Sequence, residues 1–321
     1  MAINRSNPDR WKEDIAQSVD LYNSWFMEFA PKAFRETRLA TAERVEQALN
    51  ATNNLTIVSP ELLKKHPEVL PILRMSTCPP IARDRLVGLA GVSKTLVESM
   101  EDSSNPRIPP RISAERLDQD LKQICGIIEK MADPDIFVWL GRAVVATEME
   151  VSRAATIVAD RLCGAVSDPI IRNAQEKRQL SAIGTWLQAK GYKYVEGIKF
   201  NEMDAGTYSF RTNIPVSISS TGESAKVNIP VDVVIMPLKA KQGDLPLLIE
   251  AKSAGDFTNV NKRRKEEAQK MTQLKGTYGA DVRFGLFLCG YFDSGYLGYE
   301  AAEGIDWVWE HRIDDLALFE L

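Results

Sequence analysis

The chain has 321 residues, 44% of them hydrophobic, and carries 40 Lys and Arg against 44 Asp and Glu, a net charge of −4. That length predicts two domains with cores that need no staples, and the charge excludes a polycation, so any nucleic-acid binding must come from local clusters. Two histidines, His66 and His311, and four scattered cysteines without a C-x-x-C pair exclude a His/Cys zinc cage and an H-E-x-x-H helix. No run reaches the roughly 18 apolar residues of a membrane span. The polar start MAINRSNPDRWKED lacks a signal peptide's apolar core, so a soluble, cytoplasmic protein is expected.

The first half reads as helical. Residues 9–29 place Trp11, Ile15, Val19, Tyr22, Trp25, Phe26 and Phe29 at steps of three and four, which predicts an amphipathic helix that Pro31 ends. Helices are expected again over 35–50, over 59–73 behind the Ser59-Pro60 start, and after the Pro-Pro break in CPPIARDRLVGLAGVSKTLVESM. A Pro-, Ser- and Arg-containing loop covers 101–112, followed by helical patterns at 113–132 and 136–165. GLAGVSKT fails as a phosphate loop, because Ser93 stands where glycine is needed and no strand precedes it.

The character changes near Asp168, where an Asp-Pro start and Gly191 bracket a helix over 168–190. Runs rich in Val, Ile, Tyr and Phe predict strands at 192–200, 207–218, 226–237 and 245–253. A charged helix at 260–276, the apolar strand VRFGLFLCG at 282–290 and an aromatic tail complete the chain. The expected organisation is a helical region over 1–165 and an α/β domain with a mixed sheet over 166–321.

Two of these strands carry the chemistry. Asp232 interrupts the apolar run IPVDVVIM, where an ionised carboxylate is costly unless paired, hydrogen-bonded or bound to a metal. Glu250 and Lys252 close LPLLIEAKS, and strand alternation puts both on one face. Two carboxylates, with the Ala251 carbonyl as a further ligand, suit Mg²⁺, and a lysine beside them suits an attacking water and a developing phosphate charge. The other [DE]-x-K in the chain, Asp120-Leu-Lys122, lies in a helical pattern and reads as a solvated face. On residues alone, the alternative is an edge-strand ion pair between Glu250 and Lys252, with Asp232 capping a bulge.

The order helix–strands–helix–strand, with P-V-D and then E-A-K on consecutive strands, resembles the PD-(D/E)XK nuclease superfamily over roughly residues 168–290. IPVDVVIM, LLIEAKSAGDFTNVNKRRKEEAQK, GIDWVWEHRIDDL and PPIARDRLVGLAGV are similar to XamI-like type II restriction endonucleases. The resemblance implies a restriction-endonuclease-like core and Mg²⁺-dependent cutting of double-stranded DNA at a short palindromic site, leaving 5′-phosphates. It further implies a homodimer and a cognate DNA methyltransferase in the same cell. Asp232, Glu250 and Lys252 take the superfamily's acid, acid and lysine positions, with Pro230 one place earlier than usual. Glu176, on the first helix of the core, is the expected additional acid, beside the reading of a solvated helix charge.

Expected DNA contacts are Asn259, Asn261, Lys262, Arg263, Arg264 and Lys265, a basic patch just after the acids, and Arg107 and Arg111 in the proline-stiffened loop. Two rival readings are a repair or recombination nuclease of the same fold and a non-catalytic DNA-binding protein.

Overall fold

The computed structural model describes residues 3–142, 144–164, 167–220, 223–258 and 260–321, and the backbone alone at 167, 168, 201, 218–220, 223–225 and 260–264. The chain forms two compact units, Pro31–Ile170 on one hand and Met1–Ala30 with Ile171–Leu321 on the other. The first thirty residues thus group with the C-terminal half. The Asp306 carboxylate accepts the backbone N–H groups of Ile3, Asn4 and Arg5, and Trp11 meets Trp307 edge-on at 5.4 Å.

Helix α1 (Pro8–Ala51) runs through Pro31, against the expectation that the proline ends it. Losing one N–H and crowding one carbonyl costs about 3 kcal/mol, and the bonds propagated on both sides outweigh that. Pro31 marks instead where the two units divide.

The helical unit continues with α2 (Pro60–Lys65), α3 (Leu70–Met75), α4 (Arg83–Ala90), α5 (Lys94–Met100), α6 (Ala114–Met131) and α7 (Glu148–Gly164). Each inserts a short apolar stripe into one core. On α6 the stripe is Leu121, Ile124, Cys125 and Ile128, spaced three, four and seven residues apart. The expected helix over 136–165 starts only at Glu148. A capping box sets that start: the Thr147 hydroxyl accepts from Glu150 N, while the Glu150 carboxylate accepts from Thr147 N at 2.9 Å. Upstream, Phe137 and Trp139 pack into the core from turns.

The second unit is a three-layer α/β structure. Helix α8 (Ser167–Ala189) precedes a six-stranded mixed sheet in the order β1 to β6. The strands are β1 (Lys193–Tyr194), β2 (Thr207–Ser220), β3 (Glu223–Ile235), β4 (Leu247–Ala254), β5 (Arg283–Gly290) and β6 (Asp306–Trp309). Strands β2, β3 and β4 are antiparallel neighbours, whereas β4, β5 and β6 run parallel. The parallel pairs require crossovers, which α9 (Val260–Tyr278) and α10 (Ser294–Ala302) supply. The strand expected over 192–200 is only two residues long. Gly197, at a φ of 67°, turns the chain out of it.

One face of the sheet is covered by α8, through Leu180, Ile183 and Leu187, and by the closing 3-10 turns through Leu316. The other is covered by α9, through Met271 and Leu274, by α10 and by Trp11 and Ile15 of α1. Central strands buried on both faces explain the continuous apolar runs of β4 and β5. Gly290, at a φ of 100°, ends β5 where a Cβ would strike the Ala254 carbonyl.

Candidate active site

The site arises where the hairpin β2–β3 reverses its faces. On β3, Ile229 and Val231 belong to the α9-side core, yet Val233 and Ile235 belong to the α8-side core. On β2, Tyr208 faces the α8 side and Ile214 and Val216 the α9 side. Period-two alternation would keep each set on one face, so both strands twist over between these positions. The twist falls at Asp232 and at Arg211, which the flanking pairs Phe210↔Val233 and Thr212↔Val231 put opposite one another. Arg211 carries the strain there, with a left-handed φ of 52°. An acid in an all-apolar run is therefore half-buried at a twist rather than sealed in the core.

Strand β4 brings up the other groups. Its pairing with β3 ends at Val233↔Ile249, so the next residues out, Asp232 and Glu250, are level across the gap where the strands part. Asp232 Oδ2 bridges that gap by accepting the Ala251 N–H at 2.8 Å. Lys252 Nζ lies 3.1 Å from Glu250 Oε1, as strand alternation predicts. A cleft of about 240 Å³ opens here, lined by Asp232, Glu250, Ala251, Lys252 and, from α8, Gln175 and Glu176. Gln179 fastens α8 to the sheet, donating to the carbonyls of Lys252 and Phe287 at 3.3 Å each.

The electrostatics match a cation site. Burial and the Glu250 charge push the Asp232 carboxyl up to about 6, against the Ala251 N–H and Lys252, with Glu176 adding to the rise. Burial pulls the Lys252 ammonium down, but Glu250, Glu267 and Asp232 outweigh it and leave Lys252 firmly protonated. Among the described residues the buried Glu250 Oε2 has no hydrogen-bond partner, and a bound cation would satisfy it. Among the described residues no three His, Cys, Asp or Glu side chains converge as a cage. Two carboxylates and a nearby backbone carbonyl are the sparse oxygen set that Mg²⁺ uses, since it keeps several waters.

Glu176 reaches the cleft and is held by Arg211, with Oε1 at 3.0 Å from Nε and 2.9 Å from a terminal nitrogen. Two side chains that sequence reasoning missed complete the site, both from α9. Lys270 Nζ lies 2.8 Å from Glu250 Oε1 and donates to the Pro230 carbonyl at 3.0 Å, and Glu267 lies 3.3 Å from Lys252. The signal was a polar residue inside an apolar stripe: Glu267, Met271 and Leu274 share one buried face of α9.

The expected DNA contacts divide. Asn259 lies outside the described residues, as do the side chains of Asn261, Lys262, Arg263 and Arg264, and Lys265 is exposed on α9. Arg107 and Arg111 are exposed in the helical unit, where Arg107 pairs with Asp102 at 3.3 Å. His311 is not part of the site; its ring lies 3.6 Å from Asp14, and burial lowers its pKa.

Residues 53–309 match the family model described as XamI restriction endonuclease. The chain belongs to the XamI restriction endonuclease family. It is also 53% identical over 317 residues to the type II restriction enzyme SalI of Streptomyces albus G, covering 98% of each chain. This member of the family is therefore a type II restriction endonuclease, and the repair and non-catalytic readings give way. The protein VC1899 from Vibrio cholerae aligns at 13% identity over 86% of this chain and 55% of that one, with a TM-score of 0.27, too low to bear on the fold.

Proposed function

We propose that the enzyme is a PD-(D/E)XK nuclease that hydrolyses both strands of a short palindromic DNA site in the presence of Mg²⁺, leaving 5′-phosphate and 3′-hydroxyl ends. The observation that carries this reading is Asp232 level with Glu250, with Lys252 two residues on, where β3 and β4 part. Asp232 and Glu250 hold the cation, with the Ala251 carbonyl as a further ligand. Bound Mg²⁺ supplies Lewis acidity and a water of lowered pKa. Lys252, kept protonated by its carboxylates, orients the water and stabilises charge building on the phosphate. Glu176, held by Arg211, is the additional acid of the cleft.

A palindromic site calls for a two-fold enzyme, so the active form is a homodimer with one cleft per strand. The region over 1–165, as read from the sequence, contributes to dimerisation or to clamping DNA. Lys265 with Asn259, Asn261, Lys262, Arg263 and Arg264, and Arg107 with Arg111, contact DNA. A methyltransferase of the same specificity protects the host, and the enzyme acts in the cytoplasm. The test is incubation of the purified protein with several unmethylated plasmid and phage DNAs, in Mg²⁺ or EDTA, beside Asp232→Ala. Discrete Mg²⁺-dependent bands that the variant loses support the reading. Cutting that persists in EDTA or in Asp232→Ala overturns it.

A further inference from the structure

Glu267 is difficult to explain as part of a solvated helix. It is 1% exposed and stands where an apolar residue would continue the stripe of Met271 and Leu274. Among the described residues its carboxylate oxygens meet no hydrogen-bond partner beyond the Lys252 ammonium, and burial raises its pKa while Lys252 holds it down. Lys252 is its ion-pair partner among the described residues, at 3.3 Å.

Three carboxylates and two ammonium groups meet at this point. Lys252 and Lys270 both bind the same oxygen of Glu250, Oε1, and Glu250 Oε2 is left without a hydrogen-bond partner among the described residues. Lys270 also binds the Pro230 carbonyl, two residues before Asp232, and so ties β3 to β4 beside the acids. Lys252 is shared between Glu250 and Glu267. Were Glu267 neutral, the Lys252 ammonium would keep only Glu250 and Asp232 as counter-charges. It would then be drawn across the Glu250 carboxylate, onto the edge that faces a cation.

We propose that Glu267 is a positioning residue: it holds Lys252 back on the α9 side, so that Glu250 Oε2 stays open to the metal while Lys252 stays aimed at the cleft. This rests on the assignment of Asp232, Glu250 and Lys252 above. Glu267 touches neither metal nor DNA in this role. It acts through Lys252, as outer groups behind metal ligands do.

The test uses full-length protein and Mn²⁺ as the probe, with free Mn²⁺ read by electron paramagnetic resonance in the absence of DNA. Glu267→Gln is expected to weaken Mn²⁺ binding about tenfold and to slow cutting at saturating Mg²⁺ by about ten- to a hundredfold. DNA affinity in EDTA should be unchanged, and Glu267→Asp should recover part of the cutting rate. The deciding measurement adds Lys252→Met. If Glu267 works through Lys252, then Glu267→Gln in that background leaves Mn²⁺ affinity where Lys252→Met put it. An equal loss in both backgrounds makes Glu267 a direct attractor of the cation and overturns the proposal, as does unchanged Mn²⁺ binding in Glu267→Gln. Asp232→Ala is run alongside. If it keeps cutting and binding Mn²⁺, the assignment of the site fails, whatever the Glu267 variants do.

Discussion

Asp232→Asn should make the metal-free protein more stable while removing its activity. Burial and the Glu250 charge hold the Asp232 carboxyl at about 6, raised from 3.8. A rise of that size amounts to about 3 kcal/mol of unfavourable ionisation at neutral pH. Asparagine avoids this and keeps an oxygen for the Ala251 N–H. That figure already includes the attraction to Lys252; burying the new amide N–H groups takes back part of it, so a net gain of about 1–2 kcal/mol remains, or several degrees in Tm. The sign with pH follows from linkage. The native protein holds a proton that the unfolded chain releases, so this group's stability is full below about pH 4 and is lost as pH rises through about 6. The variant should therefore melt above the wild type at pH 7.5 in EDTA and level with it near pH 4. Added Mg²⁺ should stabilise the wild type alone. An Asn variant that melts below the wild type at pH 7.5 in EDTA, or whose advantage persists at pH 4, would refute this account of the site's electrostatics.

Three further outcomes follow from other parts of the molecule. Lys252→Met should abolish cutting and cost about 3–5 kcal/mol in EDTA, because it leaves Glu250 and Glu267 buried with too few counter-charges; denaturant titration that finds no loss would contradict the pairing. Arg211→Gly should melt above Arg211→Ala by about 1 kcal/mol, since both lose the Glu176 contact and only glycine relieves the φ of 52°. Thr147→Ala should cost about 1 kcal/mol by removing the cap of α7, with the rate of DNA cutting unchanged in a plasmid assay.

The sequence determined the parts of this enzyme that rest on local chemistry. Alternation put Glu250 and Lys252 on one face of β4, and an acid inside IPVDVVIM announced an unusual environment before any fold was known. The strands over 207–218, 226–237, 245–253 and 282–290 were legible because their apolar runs are long and well punctuated. The start of α7 was also written in the chain, in Thr147 and Glu150, but the apolar stretch before it imitated a helix.

What only the tertiary structure decided depends on register and on neighbours distant in sequence. That Asp232 is level with Glu250 follows from where β3 and β4 stop pairing, and that it is half-open follows from the twist at Arg211. The grouping of residues 1–30 with the C-terminal half depends on the N–H groups that converge on Asp306. Glu267 and Lys270 look like ordinary charges on a charged helix. They matter because α9 packs its stripe against the sheet, which delivers a carboxylate and an ammonium to the buried opposite charges of Lys252 and Glu250.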